Sequence, residues 1–298
     1  MNRIACSIGV FAHNEANNII RLLEAICAQQ LKVAEISEVI VVSSASTDGT
    51  DNLVRIFAET HSSVRLITQA KREGKSAAIN LFIGEAKEQV LVIISGDVIP
   101  ADTTIEKLVS AFSDASVGAT GGRPCPVNSP NTFMGYAVHL LWRLHHRMAL
   151  ISPKLGEMIA FRKVMNSIPA DSAVDEASIE AMVKAKNLSL LYIPQAVIHN
   201  KGPENLKDFI KQRRRIQNGH LWLKSHQSYQ VISQDNGTLA AILHAELKEN
   251  LIDLPKLILV VALEAGCRML GSWDFYICGK NPFTWEIARS TKNLGNRT

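Results

Sequence analysis

Apolar and polar positions along the first hundred residues alternate in blocks, as they do in proteins built from strands and helices in turn. Apolar residues at helical spacing follow each of the first three apolar runs, and Asn14 is predicted to cap the first of these helices. The apolar runs themselves read as strands, at residues 4–12, 38–43, 64–68 and 89–95. Runs that are apolar throughout are typical of parallel strands buried on both faces, so the pattern predicts an α/β fold with a doubly wound, mostly parallel sheet.

The pattern changes after Gly118. Residues 118–130 (GATGGRPCPVNSP) are rich in Gly and Pro and predict a loop, and residues 133–148 predict a helix. The mixed aromatic, basic and apolar residues within 139–150 suit either a packed helix with a basic face or contact with a lipid-linked acceptor.

A late apolar stretch, residues 254–270, predicts a further helix. Its charges, Lys256, Glu264 and Arg268, fall within one sector of about 120°. Its charge-free run is far shorter than the ~20 residues that a membrane-spanning helix needs. Two interpretations stay open: the helix packs on the body of the protein, or it rests on a membrane surface.

Composition narrows the class of protein. The 298 residues are 47% apolar, enough for a substantial core, and the net charge of +4 is too small to indicate a nucleic-acid partner. Five well-separated cysteines without a CxxC pair indicate neither a zinc ribbon nor a disulfide framework. The first residues lack the pattern of a secretory signal. We therefore expect a cytoplasmic protein, either in solution or associated with the inner face of the cell membrane.

Ligands of such sheets bind beyond the carboxyl ends of the strands, so the loops there are the candidate site. Asp97 follows a buried strand, where a carboxylate needs a cation or hydrogen bonds to compensate its desolvation. A metal ion is one such compensation, and a turn or helix cap before Pro100 is the other. Arg72, Gly74 and Lys75 offer the cations and the close backbone approach that a diphosphate requires.

Six segments together resemble the family-two inverting glycosyltransferases of the GT-A fold. They are IGVFAHNEANNI, VIVVSSASTDGT, KREGKSAAIN, VLVIISGDVIP, DEASIE and QRRRI, within residues 4–220. The later WEIARSTK is similar to the terminal signature of the branch that includes membrane-associated polysaccharide synthases. The resemblance implies transfer of a sugar from a nucleotide-diphosphate sugar to a lipid-linked or glycan acceptor, assisted by Mg²⁺ or Mn²⁺, in polysaccharide biosynthesis at the cell envelope.

The resemblance also implies a division of the chain. Residues 1–225 would form the GT-A domain, with a nucleotide-binding half (1–117) and an acceptor half (118–225). Residues 226–298 would form a helical extension, which could associate with a membrane surface.

The donor site follows from the same resemblance. Asn14 and Glu15 would hold the nucleotide, and Arg72 and Lys75 would approach the diphosphate. The loop after the second strand would contribute Ser44 and Asp48, with Ser44 in a place where the family has a carboxylate.

Asp97 corresponds to the last acid of the family's metal-binding DxD motif, whose first acid is replaced by Ser95. A single carboxylate binds a hard cation weakly, so the donor would supply much of the coordination of Mg²⁺ or Mn²⁺. His199 stands where some relatives have a metal or phosphate ligand.

The acceptor half carries the remaining candidates. Glu176 corresponds to the family's catalytic base, and Asp175 is its neighbour or alternative. The structural alternative is that both acids lie at the start of a helix only because the helix dipole favours negative charge there. Gln212 and Arg215 match the QxxRW element as donor ligands, with Ile216 in the tryptophan position. The missing indole favours a single transfer over a processive polymerase.

Four further residues and two competing functions complete the predictions. Arg213 and Arg214 are predicted to be solvated, because three consecutive arginines cannot share one face of a helix. Gly156 and Glu157 are expected near the reacting centre. A sugar-phosphate nucleotidyltransferase and a non-catalytic nucleotide-sugar-binding module are the competing functions; the first would need its phosphate loop directly after the first strand, where HNE stands instead.

Overall fold

A computed structural model describes residues 3–249, 253–281 and 289–292. Strands and helices alternate up to the fourth strand, as the sequence predicts. The strands are β1 Ile4–Ala12, β2 Ala34–Ser44, β3 Val64–Gln69, β4 Val90–Ser95, β5 Val98–Pro100, β6 Val117–Pro126, β7 Met158–Arg162 and β8 Ser189–Asn200. The helices are α1 Ile19–Cys27, α2 Thr50–Thr60, α3 Lys75–Glu85, α4 Thr104–Ser110, α5 Phe133–Ile151, α6 Asp175–Ala185, α7 Leu206–Gln227, α8 Asn236–Glu249 and α9 Leu254–Tyr276.

The eight strands form one sheet in the order β3-β2-β1-β4-β7-β6-β8-β5. The first four strands along the chain pair in parallel, whereas β7 runs antiparallel to both β4 and β6. The prediction of a mostly parallel sheet is therefore confirmed for the first half of the chain, and the second half is mixed. The loop predicted at residues 118–130 is wrong, because most of that segment is β6, whose glycines fit where Leu155, Val183 and Leu188 approach the strand closely.

Side chains on the two faces of the sheet build two separate cores, as expected for a doubly wound fold. Ile8 and Val10 of β1 belong to the core under α1, α2 and α4. Their neighbour Phe11 belongs to the core under α3 and α6. The period of two along β1 thus distributes one apolar run between both faces.

Two local predictions about helix termini have opposite outcomes. Asn14 does not cap α1, which begins at Ile19; its backbone is left-handed, with φ of 55°, and its side chain accepts a hydrogen bond from the Thr47 N–H. Helix α6 does begin with Asp175 and Glu176 in its first turn, and Ile179 is buried below them.

The C-terminal helices pack on one another and on α5 around a third core. Arg213 of α7 forms a bidentate pair with Glu264 of α9, with distances of 2.8 and 2.7 Å. Arg214 likewise pairs with Asp274 of α9. The prediction that Arg213 and Arg214 are solvated is wrong, because α9 places an acid opposite each of them.

Helix α9 packs on α7 and α5, as the first interpretation of residues 254–270 predicts. Glu264 and Arg268 pair with each other at 3.0 Å on the side that faces α7, and Leu257 and Val260 are buried. Its opposite side exposes large apolar residues: Ile258, Leu259, Met269, Leu270, Trp273 and Tyr276. Within the ranges that the structure describes, none of the helices combines the length and the apolarity that crossing a bilayer requires.

Candidate active site

A cleft of about 1080 Å³ lies at the carboxyl ends of β1, β2 and β4. Loops and helices from most of the chain contribute to its wall, from Phe11 to Lys292. Among the predicted site residues, those on the wall are Glu15, Ser44, Arg72, Lys75, Asp97, Asp175, Glu176, Gln212 and Arg215. The sheet edge therefore gathers residues that are as far as two hundred positions apart in the sequence.

Lys75 joins the two halves of the predicted site. It lies at the N-terminus of α3, after Gly74 with φ of 95°, and its Nζ is 2.7 Å from Glu176 Oε1 and 3.6 Å from Asp175 Oδ2. Burial tends to raise the pKa of Glu176, but the ion pair with Lys75 outweighs burial and lowers that pKa. Glu176 is thus held ionised.

Asp175 is placed differently from its neighbour. It is buried and accepts a hydrogen bond of 2.5 Å from the Ser76 hydroxyl, and burial raises its pKa. Its contacts fasten the start of α6 to α3, whereas the side chain of Glu176 is 22% exposed toward the cleft. Of the two acids, Glu176 has the better access to a ligand.

A second charged cluster surrounds Asp97. The ammonium of Lys292 contacts Glu15 and lies 3.4 Å from Asp97 Oδ2. Asn18 holds the other oxygen of Glu15 at 3.0 Å and donates to the Lys292 carbonyl at 2.6 Å. Burial and the nearby Asp97 raise the pKa of Glu15 to about 7. Gly96 is required here, because a Cβ at this position would lie 2.8 Å from the Glu15 side chain.

The residues around Asp97 fit a cation that arrives with its own ligands. Asp97 and Glu15 already hold the positive charge of Lys292. Yet in the described part of the chain no three His, Cys, Asp or Glu side chains cluster as a metal-binding group would. A divalent ion held here would need further oxygen ligands, which a diphosphate can offer.

Other predicted donor residues tie the loops together. Asp48 accepts hydrogen bonds from the Ala16 N–H at 2.9 Å and from the Thr50 hydroxyl at 2.5 Å. Asn14 binds the same loop through Thr47 at 2.8 Å. Ser44 donates to Gln69 Oε1 at 2.5 Å. Asp48 and Asn14 thereby join the loop after β1 to the loop after β2, beside the cleft wall.

Arg215 is the arginine of α7 that faces the acids of the cleft. Burial lowers its pKa to about 10, partly offset by the attraction of Asp175 and Glu176. Arg72 also lines the cleft, and Gln212 lies one helical turn before Arg215. The cleft thus carries Arg72 and Arg215 as well as Lys75 as positive side chains.

The predicted metal ligand His199 lies in β8, in register with Ile99 of β5. The described wall of the cleft includes its neighbour Asn200 rather than His199. Asn200 donates to Glu157 Oε1 at 3.0 Å. Glu157 has a left-handed backbone, with φ of 62°, and burial together with Asp97 and Glu176 raises its pKa to about 7.

Two further charged residues, Glu157 and Lys292, line the cleft, and neither was assigned a role from the sequence. The sequence analysis placed Glu157 near the reacting centre without a role, and in the structure it is a partly buried acid that lines the cleft. Lys292 was not predicted at all, although it ends the WEIARSTK segment. Its contact with Glu15 spans 277 positions, and no local pattern signals such a contact. Residues 285–288 of that segment lie outside the described residues.

Comparison with known proteins agrees with this geometry. Residues 7–185 match the model of glycosyl transferase family 2, and the chain belongs to that family. It is 30% identical over 116 residues to Glycosyltransferase AglE of Haloferax volcanii, and 25% identical over 234 residues to the Probable glycosyltransferase YdaM of Bacillus subtilis. These matches cover 39% and 73% of this chain, and 38% and 55% of the relatives' own length.

Solved structures show the same fold. The mannosyltransferase PcManGT of Pyrobaculum calidifontis, in complex with GDP-Man and Mn²⁺, aligns with a TM-score of 0.61 at 25% identity, over 94% of this chain and 82% of its own. Glucosyl-3-phosphoglycerate synthase of Mycobacterium tuberculosis aligns with a TM-score of 0.52 at 19% identity, over 74% of this chain and 79% of its own. The chain thus combines membership of glycosyl transferase family 2 with a mixed α/β fold of the GT-A type.

Proposed function

We propose that this protein is an inverting glycosyltransferase that moves a sugar from a nucleotide-diphosphate sugar to a lipid-linked or glycan acceptor. The observation that carries the proposal is the meeting of Asp97, Lys75, Glu176 and Arg215 in one cleft. An inverting transfer needs a base for the acceptor and positive charge for the leaving diphosphate, and these residues provide both. The neighbour PcManGT was solved with GDP-Man and Mn²⁺, which supports the same type of donor here.

Lys75 connects donor binding to the basicity of Glu176. The ammonium lies 2.7 Å from Glu176, at the N-terminus of α3, where a diphosphate is also stabilised by backbone N–H groups. A diphosphate that binds Lys75 draws positive charge away from Glu176, so the carboxylate becomes a stronger base once the donor is in place. Arg72 and Arg215 provide further positive charge for the donor.

The transfer exchanges one bond for another at the anomeric carbon. The acceptor oxygen forms the new bond as Glu176 takes its proton, and the bond to the diphosphate oxygen breaks with its electron pair leaving on the nucleoside diphosphate. Mg²⁺ or Mn²⁺, held by Asp97 with the donor's own oxygens, would supply Lewis-acid stabilisation of that leaving group. Asp175 positions Glu176 through its hydrogen bond to Ser76.

The outer side of α9 supports a location at the inner surface of a membrane. It exposes Trp273 and Tyr276, with 57% and 68% of their surface accessible, beside several aliphatic residues. Such a face inserts shallowly into the boundary between headgroups and acyl chains. Sedimentation with phosphatidylglycerol vesicles should carry the protein down, and Trp273→Ser should reduce the bound fraction; equal sedimentation of both would contradict this location.

A donor panel tests the activity. The purified protein is incubated with nucleotide sugars and Mg²⁺ or Mn²⁺, and thermal stabilisation and release of nucleoside diphosphate are measured. We expect one donor to stabilise the protein only with metal and to be turned over. Stabilisation without turnover with any acceptor would indicate a binding module. Release of inorganic diphosphate from a nucleoside triphosphate and a sugar phosphate would indicate a nucleotidyltransferase.

A further inference from the structure

The cleft has two chemically different ends. One holds the acids and cations described above, and the other continues past Lys154 between α5, α8 and α9. The walls of this second part, here called the helical channel, are apolar: Leu141, Leu144, Leu239, Leu243, Val260 and Val261. Sugars are bound through many hydrogen bonds, and these side chains form none. The helical channel is therefore unsuited to a glycan and suited to a hydrocarbon.

The helical channel runs along the third core described above, and part of that core lines the cleft. Leu144 and Val260 are buried, but Leu239, Leu243 and Val261 on the facing helices remain partly accessible. Ala265, one turn further along α9, is exposed and also lines the cleft. Apolar surface that faces an open cavity costs free energy, which an apolar ligand would recover by covering it.

Charged groups concentrate where the helical channel meets the rest of the cleft. Lys154, Arg213 and Arg268 face the two acids Glu180 and Glu264 there. Burial raises the pKa of Glu180 to about 7 and, together with Arg213, lowers the pKa of Lys154 to about 8. The junction therefore carries more positive than negative charge, which an anionic group would balance.

Two histidines complete the junction. Burial lowers the pKa of both His145 and His220 well below the ordinary range, so both are neutral. His145 is only 6% exposed and lines the cleft, and in the described part of the chain its Nδ1 has no hydrogen-bond partner. Gly156 lies beside the other ring nitrogen, since a Cβ at position 156 would be 3.8 Å from His145 Nε2. A buried polar nitrogen of this kind is satisfied when a polar ligand reaches it.

We infer that the helical channel binds the hydrocarbon chain of a lipid acceptor, and that Lys154 and His145 receive its anionic headgroup. The inference rests on the proposed function, because it names the acceptor class for that same cleft. Lys154 precedes Glu157 by only three residues in the sequence, so a headgroup at Lys154 lies close to the acids at the reacting end of the cleft. Donor binding involves the other end of the cleft and does not depend on the channel.

The test compares two probes with the same headgroup, dodecyl phosphate below its micelle concentration and butyl phosphate, by titration calorimetry on the full chain. Each buried methylene strengthens binding roughly two- to fourfold, so we expect dodecyl phosphate to bind at least a hundredfold more tightly. Val261→Trp, which fills the channel with a much larger side chain, should remove most of that difference. Ile258→Trp, on the exposed side of the same helix, is the matched control and should preserve it.

Two further variants separate loss of the channel from misfolding and test the headgroup site. Leu243→Gln should weaken dodecyl phosphate at least tenfold while its melting temperature stays near that of the parent. Lys154→Met should weaken dodecyl phosphate roughly tenfold and leave dodecyl maltoside, an uncharged probe, unchanged. Lys154→Met removes the ammonium together with its hydrogen bond to the Ser233 hydroxyl at 3.0 Å and keeps the length of the side chain.

Three results would overturn the inference. The first is equal affinity for the two phosphates, and the second is a chain-length preference that survives Val261→Trp and Leu243→Gln. The third is a preference abolished by Ile258→Trp, which would place the chain on the outer face of α9. Failure of the proposed function is visible separately, as absence of metal-dependent stabilisation by every nucleotide sugar, and it would leave the alkyl-phosphate binding intact.

Discussion

Buried ion pairs occur in two regions of the protein, and they differ in what lies beside them. In the cleft, Lys75 and Glu176 meet where a ligand can enter, and Glu176 is 22% exposed. Between the helices, Arg143 and Arg147 of α5 enclose Glu246 of α8, which is fully buried. Burying these charges costs desolvation free energy in both regions, but only in the first region can a ligand reach them.

The difference separates two uses of the same side chains. Three consecutive arginines illustrate it: Arg213 and Arg214 pair with Glu264 and Asp274 of α9, whereas Arg215 faces the acids of the cleft. The first two fasten a helix, and the third is placed for chemistry. Substitutions in the two regions should therefore affect different measurements, activity in one and folding stability in the other.

The largest effect is expected in the cleft. Asp97→Ala and Glu176→Ala should each reduce transfer by roughly a thousandfold or more, since one removes the metal ligand and the other the base. Only Asp97→Ala should weaken metal-dependent donor binding, measured by thermal stabilisation at a series of donor concentrations. Equal loss of donor binding in both variants would contradict the assigned roles.

Between the helices the expected loss is of stability. Glu264→Ala leaves the partly buried Arg213 without its carboxylate, and we expect the free energy of unfolding to fall by about 3 kcal/mol. Urea unfolding followed by circular dichroism measures it. Glu59→Ala, on the exposed surface of α2, is the control and should change little. A stable Glu264→Ala protein that has lost donor binding would erase the distinction between the two regions.

Lys292 tests whether the cleft cluster includes the C-terminal segment. Its ammonium neutralises Glu15 and Asp97, so Lys292→Met should raise the donor KM roughly tenfold, through like-charge repulsion toward the diphosphate. Lys292→Arg should restore much of the affinity. Lys184→Met, an exposed lysine of α6, is the matched control. An unchanged KM in Lys292→Met would remove this residue from the donor site.

The smallest effect concerns pH. The pKa of Glu180 is raised by burial from 4.5 to about 7, so the folded protein holds this proton more tightly than the unfolded chain. The stability contributed by the protonated carboxyl is fully present below pH 4.5 and is lost as the pH rises through 7.

Glu180→Gln should remove this pH dependence. The fall in unfolding free energy between pH 5 and pH 8 should become shallower by on the order of 1 kcal/mol, as measured by urea unfolding at each pH. Glutamine can still accept the hydrogen bond from the Leu155 N–H through its one amide oxygen, and its NH₂ group can donate to the Tyr229 oxygen. A parallel pH profile in the variant would show that Glu180 does not titrate in this range.

The strand and helix order of the first half was predictable because each element has its own period. Residues 4–12 form β1 as predicted, and the run at 89–95 forms β4 from Val90 to Ser95. The loop prediction for residues 118–130 was wrong for a physical reason. Glycines are common in loops, but here they lie in β6, where Leu155 and the backbone of Ala196 approach too closely for a side chain. Close packing from distant segments leaves no periodic signal.

The loops that carry the site were predictable for the same kind of reason. Carboxyl ends of parallel strands share one edge of a sheet, so Glu15 and Asp97 had to lie near each other once β1 and β4 were adjacent. Lys75 could be assigned to a phosphate-binding loop from its own neighbours. Its pairing with Glu176, 101 positions away, depends on how α3 packs against α6.

By itself the sequence determined the α/β class, the family and most of the charged residues that line the cleft, because these follow from short-range periodicity and local motifs. Only the tertiary structure decided what each charge does: that Arg213 and Arg214 fasten α9 while Arg215 faces the acids, and that Lys292 reaches Glu15. The physical reason is that an ion pair depends on distance in space. Distance in space between remote segments is set by the packing of whole helices, which a local pattern does not contain.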